Sequence, residues 1–336
     1  MSPVSSVLSA GAAPPTSIAT PALWIASIGV LLALLVLDFA VTHKPHKVSM
    51  REAVGWSVFY LALPFFFALW LWTAHGGGPS VDFLTGFVVE KSLSVDNLFV
   101  FMLILAGFAV PPELRQRVLL FGIVGALVLR GIFIALGAAM LEAGTWAFLV
   151  FGAILLLTAV KIMKEAVGGP GPEREAGDMR SVRILRRVMP VTDGYRGLKM
   201  LTRDKGRTAL TPLAVVVFTV FATDIVFAVD SVPAVYGITS DPYLVFTANA
   251  FALLGLRALY FVLESALGRL KHLNHGLAII LAFIGVKLVL HWAHESWPGV
   301  PTVPTPLSLA VIVGVLATVT VTSLRSGRKA VEESRV

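Results

Sequence analysis

The sequence predicts an all-α polytopic membrane protein of about nine transmembrane helices, six of them forming a 3+3 inverted-topology repeat. Three observations predict it. The chain of 336 residues is 57% hydrophobic and 14% charged, whereas soluble domains are about a quarter charged. Its apolar residues fall in blocks near the ~20 residues that span a bilayer. Two of these blocks carry acids in one spacing: Glu90 and Asp96, then Asp224 and Asp230, six positions apart each time.

The expected spans lie at roughly 22–42, 53–74, 81–108, 117–141, 145–166, 211–237, 242–266, 276–293 and 306–324. Loop charges orient them. Lys44, Lys47 and Arg51 precede span two; Arg115 and Arg117 precede span four. The loop 168–210 is rich in Lys and Arg, Arg269 and Lys271 precede span eight, and Arg325, Arg328, Lys329 and Arg335 follow span nine. The alternate connections carry neither Lys nor Arg. The N-terminus is therefore expected outside and the C-terminus in the cytoplasm, in a cytoplasmic (inner) membrane.

Organisation follows from the same pattern. Residues 1–20 are a Ser-, Ala- and Pro-rich tail without a basic signal-peptide start. Two peripheral helices fill 21–75. The first three-helix repeat is 81–167, the basic cytoplasmic loop 168–210, the second repeat 211–294, the last helix 305–325 and a cytoplasmic tail 326–336. Within the loop, SVRILRRVMP reads either as a short amphipathic surface helix or as a solvated segment that sets topology.

Composition excludes several chemistries. There is no Cys, so disulfides, thiolate metal sites and CxxC redox chemistry are absent. The net charge of +7 sits mostly in loops and does not indicate nucleic acid. The expected partners are membrane lipids and, at the basic loop, other proteins.

The acid pairs belong to a longer repeat. Glu90, Asp96, Arg130 and Lys161 recur as Asp224, Asp230, Arg257 and Lys287, with Arg and Lys 31 and 30 residues apart. VDNLFVF parallels VDSVPAV, LRGIF parallels LRALYF, and AVKIM parallels GVKLV. Three spans per unit force the two units to enter the membrane from opposite sides, a layout common in secondary transporters. Pro233 is expected to break span six near the acids, with Ser94 and Asn97 satisfying freed backbone groups in span three.

A carboxylate in hydrocarbon costs several kcal/mol (about 3 on insertion scales) and faces a bundle interior or a water-filled cavity. Asn97 and Ser231 follow the inner acids and add neutral oxygens. Glu90, Asp96, Asn97, Asp224, Asp230 and Ser231 therefore form the candidate metal site, hard in character and suited to Mn²⁺, Ca²⁺ or Mg²⁺. Six residues on a regular helix turn about 600°, which leaves the paired acids ~120° apart. Arg130, Lys161, Arg257 and Lys287 are candidate charge-compensating or gating groups. Asn249 is either an interhelical hydrogen-bonding residue or an accessory ligand. Lys91 is expected to snorkel in preference to pairing with Glu90, and His291 and His294, three apart on a helix, to be interfacial histidines in preference to a weak metal-collection site. Asp38, Glu142 and Glu165 lie near span ends and need no function. No catalytic residue and no permanently bound cofactor is expected, and the chain does not read as an enzyme.

The segments EKSLSVDNLFVF, DGYRGLKMLTRDKGRTALTPL and FATDIVFAVDSVPAVYGITSDPYLVFTANAFALLGLRALYF closely resemble the TerC family, over roughly residues 20–325. These are integral membrane proteins named for tellurite resistance, with alkali-induced Alx-type members, and similar to LysE-type exporters. The resemblance implies export of Mn²⁺, contributing to metal homeostasis and to tellurite and alkaline stress resistance. Some members are described as membrane redox modulators, so a scaffold or stress modulator without transport is the alternative. An intramembrane aspartyl protease would also need two membrane acids, but neither half has a Gly-x-Gly-Asp element.

Overall fold

The computed structural model describes residues 17–41, 49–168, 191–192, 194–195, 197, 199–204, 207–266, 273–297 and 299–333. Most of the N-terminal tail, and residues 169–190 with SVRILRRVMP, lie outside the described residues. Among the described residues ten helices are α1 (Pro21–Val41), α2 (Met50–His75), α3 (Gly77–Gly107), α4 (Pro112–Ala143), α5 (Trp146–Gly168), α6 (Pro212–Tyr236), α7 (Pro242–Leu253), α8 (Leu256–Ala266), α9 (Leu273–Ser296) and α10 (Thr305–Glu333). Eight stretches among the described residues are long and apolar enough to cross a membrane, α7 and α8 counting together as one. The protein is thus an all-α polytopic membrane protein. Helix α3 is not among the eight: it carries Asp82, Glu90, Lys91 and Asp96.

Local signals set several boundaries. Ser49 caps α2 by accepting the Glu52 N–H, and Thr211 caps α6 before Pro212. Asp241 caps α7 before Pro242. Such oxygens satisfy N–H groups that the first turn leaves open, and Pro at the first position loses nothing. Asp241 also accepts the Ser17 hydroxyl (2.7 Å) and the Ile18 N–H (2.8 Å), fixing the start of the described chain to the start of α7.

Large apolar side chains such as Ile25, Phe66, Leu157 and Val226 are exposed. An apolar exterior of this kind belongs in lipid. Helix α3 sits innermost, packed on α2, α6, α7 and α10; α4 packs on α6 and α7. Helices α5 and α9 pack most extensively. There a Cβ on Gly152 would lie 3.0 Å from the Gly285 carbonyl oxygen, and one on Gly285 3.1 Å from that of Gly152. Seven residues further along α5 and back along α9, Ala159 and Ala278 are also buried. Small residues at both crossings let the backbones meet, which drives helix association where lipid removes the hydrophobic force.

Two expectations about helix breaks are corrected. Helix α6 runs unbroken through Pro233, three residues before its end, and gives up only the backbone donor to the Val229 carbonyl. Helix α3 is likewise continuous. The break falls in span seven, at Leu254–Gly255. Gly255 has φ +75°, which glycine adopts without strain, and a Cβ there would stand 2.4 Å from Tyr60 Cβ. The carbonyl of Ala252 accepts the Lys91 ammonium at 3.0 Å. Lys91 therefore caps a broken helix and does not snorkel.

The end of the basic loop is folded. Strands β1 (Leu201–Asp204) and β2 (Arg207–Leu210) pair antiparallel. The Tyr195 hydroxyl donates to the Phe108 carbonyl at the end of α3 (2.8 Å). Burial pushes that phenol above its ordinary range.

Asp38, expected to need no role, is buried in α1. It accepts Arg257 Nη2 at 2.7 Å, Arg257 Nε at 3.1 Å and the Tyr60 hydroxyl at 3.0 Å. This ties α1 and α2 to α8. Removing one partner of a buried pair leaves an uncompensated charge, at a cost of about 3–5 kcal/mol. Asp38→Ala is expected to lower the thermal unfolding midpoint of the detergent-purified protein sharply, and Asp38→Ala with Arg257→Leu to recover part of the loss. Gly285→Leu is expected to lose about 1–3 kcal/mol by overpacking, read in the same melt.

Candidate functional site

Four helices bring one polar residue each to the middle of the bundle. Glu90 comes from α3, Arg130 from α4, Asp224 from α6 and Asn249 from α7. Their exposures are 0%, 1%, 2% and 1%. Arg130 forms an ion pair with Glu90 and approaches Asp224 at 3.7 Å. Its Nη1 donates to Asn249 Oδ1 at 2.8 Å, while Asn249 Nδ2 donates back to the Val245 carbonyl at 2.9 Å. Asp230 is half-buried and also acts electrostatically on Arg130.

The helical spacing explains which residues share the interior. Glu90 and Asn97 are seven apart, as are Asp224 and Ser231, so each pair returns to within about 20° of one helix face. All four are buried. Asp230 is turned away from Asp224 by the ~120° expected of a regular helix. The side chain of Asp96 lies outside the described side chains.

Several oxygens here are unspent. Glu90 Oε2, Asp224 Oδ2 and the hydroxyls of Ser94 and Ser231 are buried without a hydrogen-bond partner. Other hydroxyls on these helices bond the carbonyl four residues back: Thr85 to Val81, Ser92 to Val88, Thr219 to Val215 and Thr247 to Tyr243. Ser94 and Ser231 forgo that self-satisfaction. Buried polar atoms are nearly always paired, so such a group marks a place that water or a ligand serves. Ser94 was assigned only to backbone repair by sequence reasoning. Its signal was its place four residues after Glu90, on the same face.

The candidate residues do not stand as a ready-made ion cage. Among the described residues no group of three or more His, Asp or Glu side chains is placed to hold a metal. The reason is steric and electrostatic: the Arg130 guanidinium occupies the space between the acids. The chemistry of the donor set, carboxylate and hydroxyl oxygens, nonetheless fits a hard divalent cation.

The candidate gating bases divide. Arg130 reaches the acids. Arg257 is held by Asp38, and Lys161 is exposed on α5. Lys287 lies with Asp82 and His291 in a cavity of about 220 Å³ near the end of α6. His294 Nδ1 instead meets the Val300 carbonyl at 2.6 Å.

Known proteins place the chain. The profile described as the Integral membrane protein TerC family matches residues 77–330. An uncharacterized membrane protein of Myxococcus xanthus is 39% identical over 315 residues, covering 94% of this chain and 95% of that protein. A protein of Salmonella typhi, Alx, named provisionally as a membrane-bound redox modulator, is 39% identical over 313 residues, covering 89% and 93%. The Escherichia coli K12 protein of the same name is 37% identical over 311 residues, covering 89% and 93%. No solved structure gives a significant match. The chain belongs to the TerC family of integral membrane proteins.

Proposed function

We propose that the protein carries a divalent metal cation, Mn²⁺ first, out of the cytoplasm through the cluster around Arg130. The observation that supports this is the set of unspent oxygens on Glu90, Asp224, Ser94 and Ser231 in the bundle interior. Charge supports it too, since the described acids Glu90, Asp224 and Asp230 all act on the one Arg130 guanidinium. Mn²⁺ accepts carboxylate and hydroxyl oxygens; Ca²⁺ and Mg²⁺ are the alternatives.

In this reading Arg130 is a tethered counter-ion. Without substrate it neutralises Glu90 and Asp224, which could not otherwise stay ionised in a low-dielectric interior. The arriving cation displaces the guanidinium, and Asn249 keeps a hydrogen bond to it. On release Arg130 returns and lowers the cost of the empty state. Asp96, Asn97 and Asp230 would extend the path beyond the cluster. The two halves would sit in the cytoplasmic membrane with the N-terminus outside, and the packing of α3 on α7 and of α4 on α6 is the exchange an inverted repeat would make. The basic loop would hold protein or lipid contacts.

The relatives' name favours a second reading, a membrane redox modulator. With no Cys in the chain, such a role would act through partners or metal supply.

The test is cellular Mn²⁺ content and Mn²⁺ efflux with wild type, Glu90→Gln and Asp224→Asn at matched membrane abundance. Wild type is expected to lower cell Mn²⁺. Each variant is expected to slow efflux about tenfold or more, since 1.4 kcal/mol of lost binding is a decade. Ser231→Ala is expected to have a smaller effect in the same assay. Equal Mn²⁺ in cells with wild type and with empty vector would overturn Mn²⁺ export.

A further inference from the structure

A second polar place lies on the same helix, nearer the membrane face where α3 begins. Asp82 precedes Glu90 by eight residues, about 12 Å along the axis. The cavity there is bounded by Asp82, Phe148, Thr239, Ser240, Lys287 and His291. Thr239, Thr305 and Lys287 favour the charged Asp82 carboxylate, and the acid Asp241 opposes it. The His291 ring packs edge-on against Phe148, centroids 4.5 Å apart, which fixes it at the cavity wall. The loop charges assign this face to the outside.

The make-up is unusual for a purely structural contact between helices. A pair that only braces helices needs no adjoining cavity, no imidazole and no ring of hydroxyls. Here one carboxylate, one imidazole and several hydroxyl oxygens surround a space with room for an ion and its remaining water. Carboxylate, imidazole and hydroxyl together suit Mn²⁺ or a similar first-row divalent ion. An ammonium on a flexible stem already stands among them, as a point charge that can move aside.

We infer that this cavity is an exit-side cation site in which Asp82 is the anchoring ligand, His291 lines the wall, and Lys287 is the tethered counter-ion beside them. The inference rests on the carrier reading and repeats its logic one step further out. A cation leaving the Arg130 cluster displaces Lys287, is held briefly by Asp82, and is expelled when the ammonium returns. The site stays weak because its ligands already have a cation. Its counterpart in the first half, Lys161, faces outward from α5 and has no such role.

The experiment counts Mn²⁺ bound to the full chain in nanodiscs by electron paramagnetic resonance. Lys287→Met is expected to bind one Mn²⁺ more per chain than wild type. That gain is expected to vanish in Lys287→Met with Asp82→Asn and to be absent in Lys287→Arg, which keeps the charge. It is expected to persist in Lys287→Met with Glu90→Gln, which separates it from the inner cluster. Lys287→Gln replaces Lys287→Met if the latter is not monodisperse. No gain in either neutral variant, or a gain that survives Asp82→Asn, overturns the site. Mn²⁺ efflux in the same variants separates the two ideas: if wild type moves no Mn²⁺, the carrier reading fails while the binding count still decides the pocket.

Discussion

The structure depends on how a bilayer interior holds Arg130 with Glu90 and Asp224. Each of these groups alone would be excluded from hydrocarbon, because the hydration it loses exceeds what most contacts return. Held together they form a group in which Coulomb attraction is strong and water is scarce. That requirement fixes the architecture around them. Glu90, Arg130, Asp224 and Asn249 stand on four helices, so α3, α4, α6 and α7 must meet at one depth. The innermost place of α3, the one long helix outside the apolar set, follows from the charges it carries.

Much of the fold was legible because the bilayer leaves few choices. Backbone polar groups in lipid must be satisfied within the segment, so each apolar block becomes a helix of bilayer length. Thr211–Pro212 and Asp241–Pro242 mark helix starts by capping chemistry that the sequence spells out. The break in span seven was not legible. AFALLGLRALYF reads as one apolar run, and glycine is common in membrane helices. Gly255 breaks the helix with its backbone at positive φ and Tyr60 against it, a tertiary contact absent from the local sequence. Pro233 carried the louder signal, yet α6 is continuous through it.

The site was legible in part for the same reason. A repeated acid spacing pointed to Glu90 and Asp224, and helical geometry placed Asn97 and Ser231 on their faces. Partner choice was hidden. Arg130 and Arg257 occupy matching text, LRGIF and LRALYF, yet one meets two acids and the other meets Asp38. Sequence alone cannot separate them, since the deciding residues lie on α1 and α2, outside the repeat.

That divergence has an electrostatic consequence. Had both arginines entered the cluster, a second guanidinium would compete with the first for Glu90 and Asp224 and add positive charge to a low-dielectric interior, which is costly. Asp38 and Tyr60 hold Arg257 away, and the break at Gly255 precedes it by two residues. The two helices outside the repeat thus do more than widen the bundle. By sequestering one guanidinium they leave Glu90 and Asp224 to the other, and they break the charge symmetry that the repeated sequence would otherwise impose.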